Sequence, residues 1–228
     1  MAQDFPTLEQ ARTVLIEAGR AMRSARLIVA REGNLSMRLA EDRFMVSAAG
    51  TDKGRLGPDD LVVVGPDGQP EGDGRASTET AMHLEIYRRR ADVGAVVHGH
   101  PAHCTAFAVA GRALDACLLP EVITTLGCVP LSDYATPSTA EVAEAVGRLC
   151  TDHDAFLLRN HGAVAMGPDP RTAVDRLETV EHLAQITWLA EALGGARPLG
   201  KEQVEALMQI RGVYGPVRSL PDCRPAED

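Results

Sequence analysis

After Pro6, apolar side chains fall at Leu8, Ala11, Leu15, Ala18, Met22 and Ala25, a spacing that predicts a long amphipathic helix running toward Gly33. Thr7 and Gln10 ahead of it have the form of a capping box. Beyond Gly33 the period changes: NLSMRL, RFMVSA and LVVVG read as short strands, and the turn-rich PDGQPEGDG follows the last of them. Helical spacing returns in STETAMHLEIYRRR. VGAVVHGH then reads as a strand, and PAHCTAFAVAG as a helix that opens on proline and closes on glycine. TAEVAEAVGRLC has a helical pattern, AFLLRNHGAVAMG reads as two strands around an Asn-His-Gly turn, and PRTAVDRLETVEHLAQITWLAEALGG predicts a long final helix. No repeat, linker or low-complexity segment intervenes. The pattern predicts one α/β domain of three layers, αβα, with a central, mainly antiparallel sheet flanked by helices.

Composition narrows the functions this fold can serve. The chain has 228 residues, of which 45% are hydrophobic, enough to bury a sizeable core. Its net charge of -9 is spread along the chain with no basic block, and aromatic residues are only 4%, which argues against nucleic acid as a partner. No apolar run approaches the roughly 20 residues of a membrane span, and the start lacks the form of a signal peptide, so a cytoplasmic protein is expected. Cys104, Cys117, Cys128, Cys150 and Cys223 are odd in number and widely spaced, a pattern of thiols and not of a disulfide framework.

The candidate chemistry concentrates in three places. In an extended VVHGH, His98 and His100 project to the same side, so two imidazoles can meet one divalent metal. Two ordinary polar residues at a strand end would give the same pattern. His161, in the turn of RNHGAVAMG, is placed to project a third ligand, and three histidines with an open position have the form of a catalytic zinc site. The third place is STETAMH, where Ser77 and Thr78 stand at a helix start, a geometry that attracts phosphate, and Glu79 falls on the first turn. Glu79 reads either as a complement to the helix dipole or as a general acid/base beside the metal. His83, a turn later, reads as a helix-surface residue or one that supports a ligand, and His103 could also lie behind the ligands; His153 and His182 read as surface residues.

Taken together, GNLS, SAAGTDKGRL, STETAMH, VVHGHPAHCTA and RNHGAVAMG resemble, in order and spacing, the class II aldolase/adducin family. The resemblance runs from about Gly33 to Gly194, within a core of residues 7–194. It implies that His98, His100 and His161 bind zinc, with manganese or cobalt as competitors for three imidazoles. Glu79 would be the acid/base, and Asn34, Gly50, Ser77 and Thr78 would hold a substrate phosphate, with Lys53 either adding charge or standing as a solvated loop lysine. VYGPVR, in the C-terminal segment 200–228, resembles an aldolase stretch whose tyrosine protonates or orients the aldehyde oxygen, which makes Tyr214 its counterpart. The resemblance also implies a homotetramer with active sites between subunits.

Family members use the metal as a Lewis acid on a 2-keto-1-phosphate sugar, and the aldolases release dihydroxyacetone phosphate and an aldehyde through an enediolate. A second tyrosine found in fuculose-phosphate aldolase is missing here: the segment reads ACLLPEVITTLG, with Leu118 and Leu119 in its place and Glu121 as a possible substitute. A less polar aldehyde end favours a deoxy or methylthio pentulose 1-phosphate over fuculose 1-phosphate. Methylthioribulose-1-phosphate dehydratase is the nearest alternative. The 4-epimerases usually carry aspartate where Glu79 stands, and a noncatalytic adducin-like assembly module would have lost the ligands.

Overall fold

The computed structural model describes residues 5–214. Its centre is one six-stranded sheet in the order β3-β2-β1-β4-β6-β5, every neighbouring pair antiparallel. The strands are β1 (Asn34–Ala40), β2 (Arg43–Ser47), β3 (Leu61–Val64), β4 (Ala95–Gly99), β5 (Ala155–Leu158) and β6 (Gly162–Gly167). The described residues also form seven α-helices, α1 (Leu8–Ser24), α2 (Thr80–Arg89), α3 (Ala102–Val109), α4 (Pro120–Thr125), α5 (Ala140–Leu149), α6 (Pro170–Ala192) and α7 (Lys201–Ile210), and three short 3-10 helices, Lys53–Arg55, Pro58–Asp60 and Arg211–Tyr214.

Strand alternation sorts the core into two halves. Leu35, Met45, Val97, Leu157 and Ala165 face one way and pack against α1, α3 and α6. Val46, Val64, Val96, Phe156, Val164 and Met166 face the other way, onto Met82, Ile86 and Tyr87 of α2 and Val142 and Val146 of α5. The expected three layers are therefore present. The capping box also forms, with Thr7 Oγ1 accepting from Gln10 N and Gln10 Oε1 accepting from Thr7 N.

The opening helix is shorter than its pattern suggests. It ends at Ser24, and Arg26 and Ala30 take left-handed backbone angles, φ 58° and 51°. The reason lies in what the turn achieves: Leu27 and Ile28 swing into the core, and the carbonyl of Arg31 accepts from Lys53 Nζ at 2.9 Å. Helices α4 and α7 were not evident from the sequence; the first is a single short stretch and the second carries no buried residue.

The antiparallel order has a direct consequence for chemistry. The start of β1, the end of β4 and the start of β6 lie side by side, because Asn34 pairs with His98 and Gly99 pairs with Ala163. Residues from three distant parts of the chain thus meet at one rim of the sheet.

Candidate active site and metal centre

At that rim His98, His100 and His161 stand together, their potential ligand atoms within 4.8 Å of one another. Ring centroids are 4.7 to 4.8 Å apart in all three pairs. His98 is the last side chain of β4 on the α2 face and is fully buried; His100 follows just beyond the strand, and His161 occupies the turn between β5 and β6. Asn160 holds that turn in the left-handed region at φ 58°. Gly162 is required next: a Cβ there would come within 2.4 Å of Gly99 O and 2.6 Å of His100 Cδ2.

The hydrogen bonds around the rings fix which nitrogens face inward. A carbonyl can only accept, so His98 Nδ1–H donates to Ala163 O at 3.0 Å and His98 Nε2 carries a lone pair. His100 Nδ1 lies 3.2 Å from Glu32 Oε2, which fixes the same tautomer. The two Nε2 atoms then face each other at 3.0 Å. Two lone pairs so close call for a cation between them, and a tetrahedral zinc with bonds of about 2.05 Å would set its nitrogens roughly 3.3 Å apart. Burial pushes the His98 ring well below the usual imidazole range, reinforced by His100 and His161, and burial likewise lowers His161. Both are thereby held in the neutral form that ligates.

Glu79 completes the centre. It stands immediately before the first residue of α2, one position earlier than its expected place on the first turn, and its side chain makes no helix cap. Its carboxylate instead faces the histidines, with Oε2 3.5 Å from His98 Nε2 and Oε1 3.5 Å from His161 Nε2. Oε2 accepts from Asn34 Nδ2 at 2.7 Å, while Oε1 is buried without a hydrogen-bond partner. A buried, unpartnered carboxylate oxygen beside three imidazoles is the arrangement a metal or a proton would satisfy.

A cleft of about 420 Å³ opens next to this centre and is lined by Asn34, Gly50, Lys53, Ser77, Thr78, Glu79 and His100, together with Arg31 and Arg75. Gly50 takes φ 74°, a backbone angle that suits glycine, and an added Cβ would meet nothing within 4 Å. Ser77 Oγ accepts from Glu79 N at 3.3 Å, so it ties down the residue that carries the carboxylate. Lys53 is not a solvated loop lysine: it is 3% exposed, and its Nζ donates to Arg31 O and Thr51 O at 2.9 Å each. Burial lowers its pKa.

Other residues fall elsewhere. His83 is buried under the site and not on the helix surface, with a lowered pKa of about 3 caused chiefly by burial. His103 donates from its backbone and ring nitrogens to Glu181 Oε1, at 3.1 and 2.7 Å, on the α6 side and away from the metal centre. His182 is exposed, as expected, whereas His153 is half-buried. Leu118 and Leu119 pack against the core and are absent from the cleft lining; Glu121 is exposed on the first turn of α4. Tyr214 ends the short turn Arg211–Tyr214, and its side chain lies outside the described residues, as does Cys223. Cys104, Cys117, Cys128 and Cys150 are all buried thiols.

Residues 13–188 match the profile of the class II aldolase and adducin N-terminal domain. The chain belongs to the class II aldolase and adducin family. Within it, a 5-methylthioribulose-1-phosphate/5-deoxyribulose-1-phosphate aldolase of Rhodospirillum rubrum is 30% identical over 91% of this chain and 93% of its own length. A 3-oxo-tetronate 4-phosphate decarboxylase of Escherichia coli is 32% identical over 73% of this chain and 79% of its own. Among solved structures, an L-fuculose 1-phosphate aldolase superposes with a TM-score of 0.82 at 28% identity, covering 90% of this chain and 97% of that one. No described helix is long and apolar enough to cross a membrane.

Proposed function

We propose that this class II aldolase family member is a zinc-dependent lyase that cleaves a ketose 1-phosphate into dihydroxyacetone phosphate and an aldehyde. The observation that carries the reading is the Glu79 carboxylate at the edge of the cleft, its free Oε1 facing His161 and its Oε2, held by Asn34, facing His98. His98, His100 and His161 would hold the zinc, which when bound supplies a Lewis acid for the substrate's ketone and adjacent hydroxyl oxygens.

The chain's own groups account for the rest. Asn34, Ser77, Thr78 and the backbone at Gly50 bind the phosphate, and Lys53 adds positive charge at the floor of the cleft. Cleavage breaks the C3–C4 bond and moves one proton overall, from the C4 hydroxyl to C3. Glu79 Oε1 delivers the proton to C3, and in the synthetic direction removes it. Tyr214 is assigned to the aldehyde oxygen. The Rhodospirillum rubrum relative supports a 5-deoxy- or 5-methylthio-pentulose 1-phosphate as substrate. The active form is assigned as a homotetramer, and light scattering at four chain masses is the expected result.

The Escherichia coli relative favours a second reading, decarboxylation of a phosphorylated 3-keto acid, in which the bond to a carboxylate breaks in place of the bond to a carbinol. One experiment separates them. Zinc-loaded protein is given 5-deoxyribulose 1-phosphate, methylthioribulose 1-phosphate, fuculose 1-phosphate and a 3-oxo-tetronate 4-phosphate, with and without chelator. Chelator-sensitive release of dihydroxyacetone phosphate supports the aldolase; carbon dioxide from the keto acid alone replaces it with the decarboxylase. Consumption without either product points to the dehydratase, and no consumption at all to a noncatalytic module.

A further inference from the structure

Helix α2 and strand β1 form a polar ladder beneath the active site. Glu79, His83 and Tyr87 recur every fourth residue along one face of the helical segment, and Asn34 and Ser36 recur every second residue along β1. Four helical residues advance about 6 Å and two strand residues about 6.7 Å, so the two repeats stay in step over this length. The rungs are all hydrogen bonds: Tyr87 Oη to Ser36 Oγ at 2.8 Å, Ser36 Oγ to His83 Nδ1 at 2.7 Å, His83 Nε2 to Asn34 Oδ1, and Asn34 Nδ2 to Glu79 Oε2 at 2.7 Å.

Every direction in this chain follows from its last member. The Glu79 carboxylate only accepts, so the Asn34 amide nitrogen faces it and the Asn34 oxygen faces His83. His83 must then carry its proton on Nε2, which leaves Nδ1 to accept from the Ser36 hydroxyl. Ser36 in turn accepts from Tyr87. Ser36, His83 and Tyr87 are buried, so water offers no competing partner.

We propose that His83 is a positioning residue: through Asn34 it fixes which way the amide points, and so holds Glu79 Oε2 down and leaves Oε1 as the one oxygen free for proton transfer. The proposal rests on the aldolase reading for its kinetic consequence but not for its structural one. Asn34 also lines the phosphate cleft, so the same amide joins the acid/base to the substrate's anionic end.

Two substitutions and one spectrum test it. His83→Gln places an amide N–H near the position of Nε2, keeping the donor to Asn34 while giving up Ser36. His83→Asn places its amide near Nδ1, keeping Ser36 while giving up Asn34. In zinc-loaded protein, kcat for dihydroxyacetone phosphate release is expected to be on the order of tenfold lower in H83N than in H83Q. Zinc content and thermal midpoint should match between the two. Equal kcat in both, or losses that track the midpoint, would overturn the proposal. Separately, 15N-histidine spectra of the zinc-loaded wild type should show His83 as the Nε2–H tautomer, opposite to the Nδ1–H of His98. An Nδ1–H signal at His83 would refute the ladder whatever the enzyme's activity. An inactive wild type with the expected tautomer would sink the aldolase reading and leave the ladder standing.

Discussion

At the scale of single residues, the proposed function assigns zinc binding to the three histidines and turnover to Glu79. His98→Ala removes the one ligand that is wholly buried, so it is expected to abolish stoichiometric zinc uptake, measured by metal analysis after dialysis. The same variant should lose the stabilisation zinc confers, about 4 kcal/mol at a thousandfold excess over its dissociation constant. Glu79→Gln keeps the shape of the side chain and should retain zinc while kcat drops roughly 10²- to 10⁴-fold. His83 contributes a pH dependence whose sign is set by its burial. Its folded pKa, about 3, lies below the ordinary 6.5, so the unfolded chain takes up a proton that the folded chain refuses. Metal-free wild type should therefore lose stability as pH falls from 6.5 toward 3, and H83Q should show a shallower slope in urea unfolding over the same range. The pairing of His98 with His100 on one side was legible because a period of two in a strand needs no tertiary information. The second hydrogen bond of Asn34 and the burial of His83 were not, since both depend on α2 lying over β1.

At the scale of elements, close backbone approach sets the ligand geometry. Gly162 begins β6 directly beneath His100, and Gly162→Ala would drive a methyl into Gly99 O and the His100 ring. This substitution is expected to weaken zinc binding by tenfold or more, read by competition with a chromogenic chelator, with a lowered thermal midpoint. The sequence indicated the turn but not its contact with β4, because the strand order is invisible to local pattern. The opening helix erred for a related reason. Its pattern runs toward Gly33, whereas the backbone turns out of the helix at Arg26 and buries Leu27 and Ile28 beyond that turn. Glu79 shows the reverse case: the helix begins one residue later than its pattern suggests, which puts Glu79 at the N-cap position with its carboxylate turned to the histidines instead of capping the helix.

At the scale of the whole molecule, the layers are joined by charge as well as by apolar packing. Asp154, just ahead of β5, accepts from Arg90 at the end of α2 and from Arg176 on α6, at 2.8 Å each, and so links the helical layers on opposite faces of the sheet. Asp154→Ala leaves Arg90, 4% exposed, without its buried partner. A loss of roughly 3 kcal/mol is expected in urea unfolding, with zinc affinity little changed because the pair lies away from the histidines. The three-layer architecture was readable from the alternation of periods along the chain, whereas this cross-layer link was not, since its members are far apart in sequence and none stands in a recognisable motif.

The placement of every candidate ligand at one rim of an antiparallel sheet also says something about the other rim. There the β1–β2 turn exposes Glu41 and Asp42, and no residue of the cleft or the histidine cluster comes from it. Short peptides inserted at that turn should leave catalysis intact. The same separation makes that rim the place where a tag or partner could be attached without reaching the histidines.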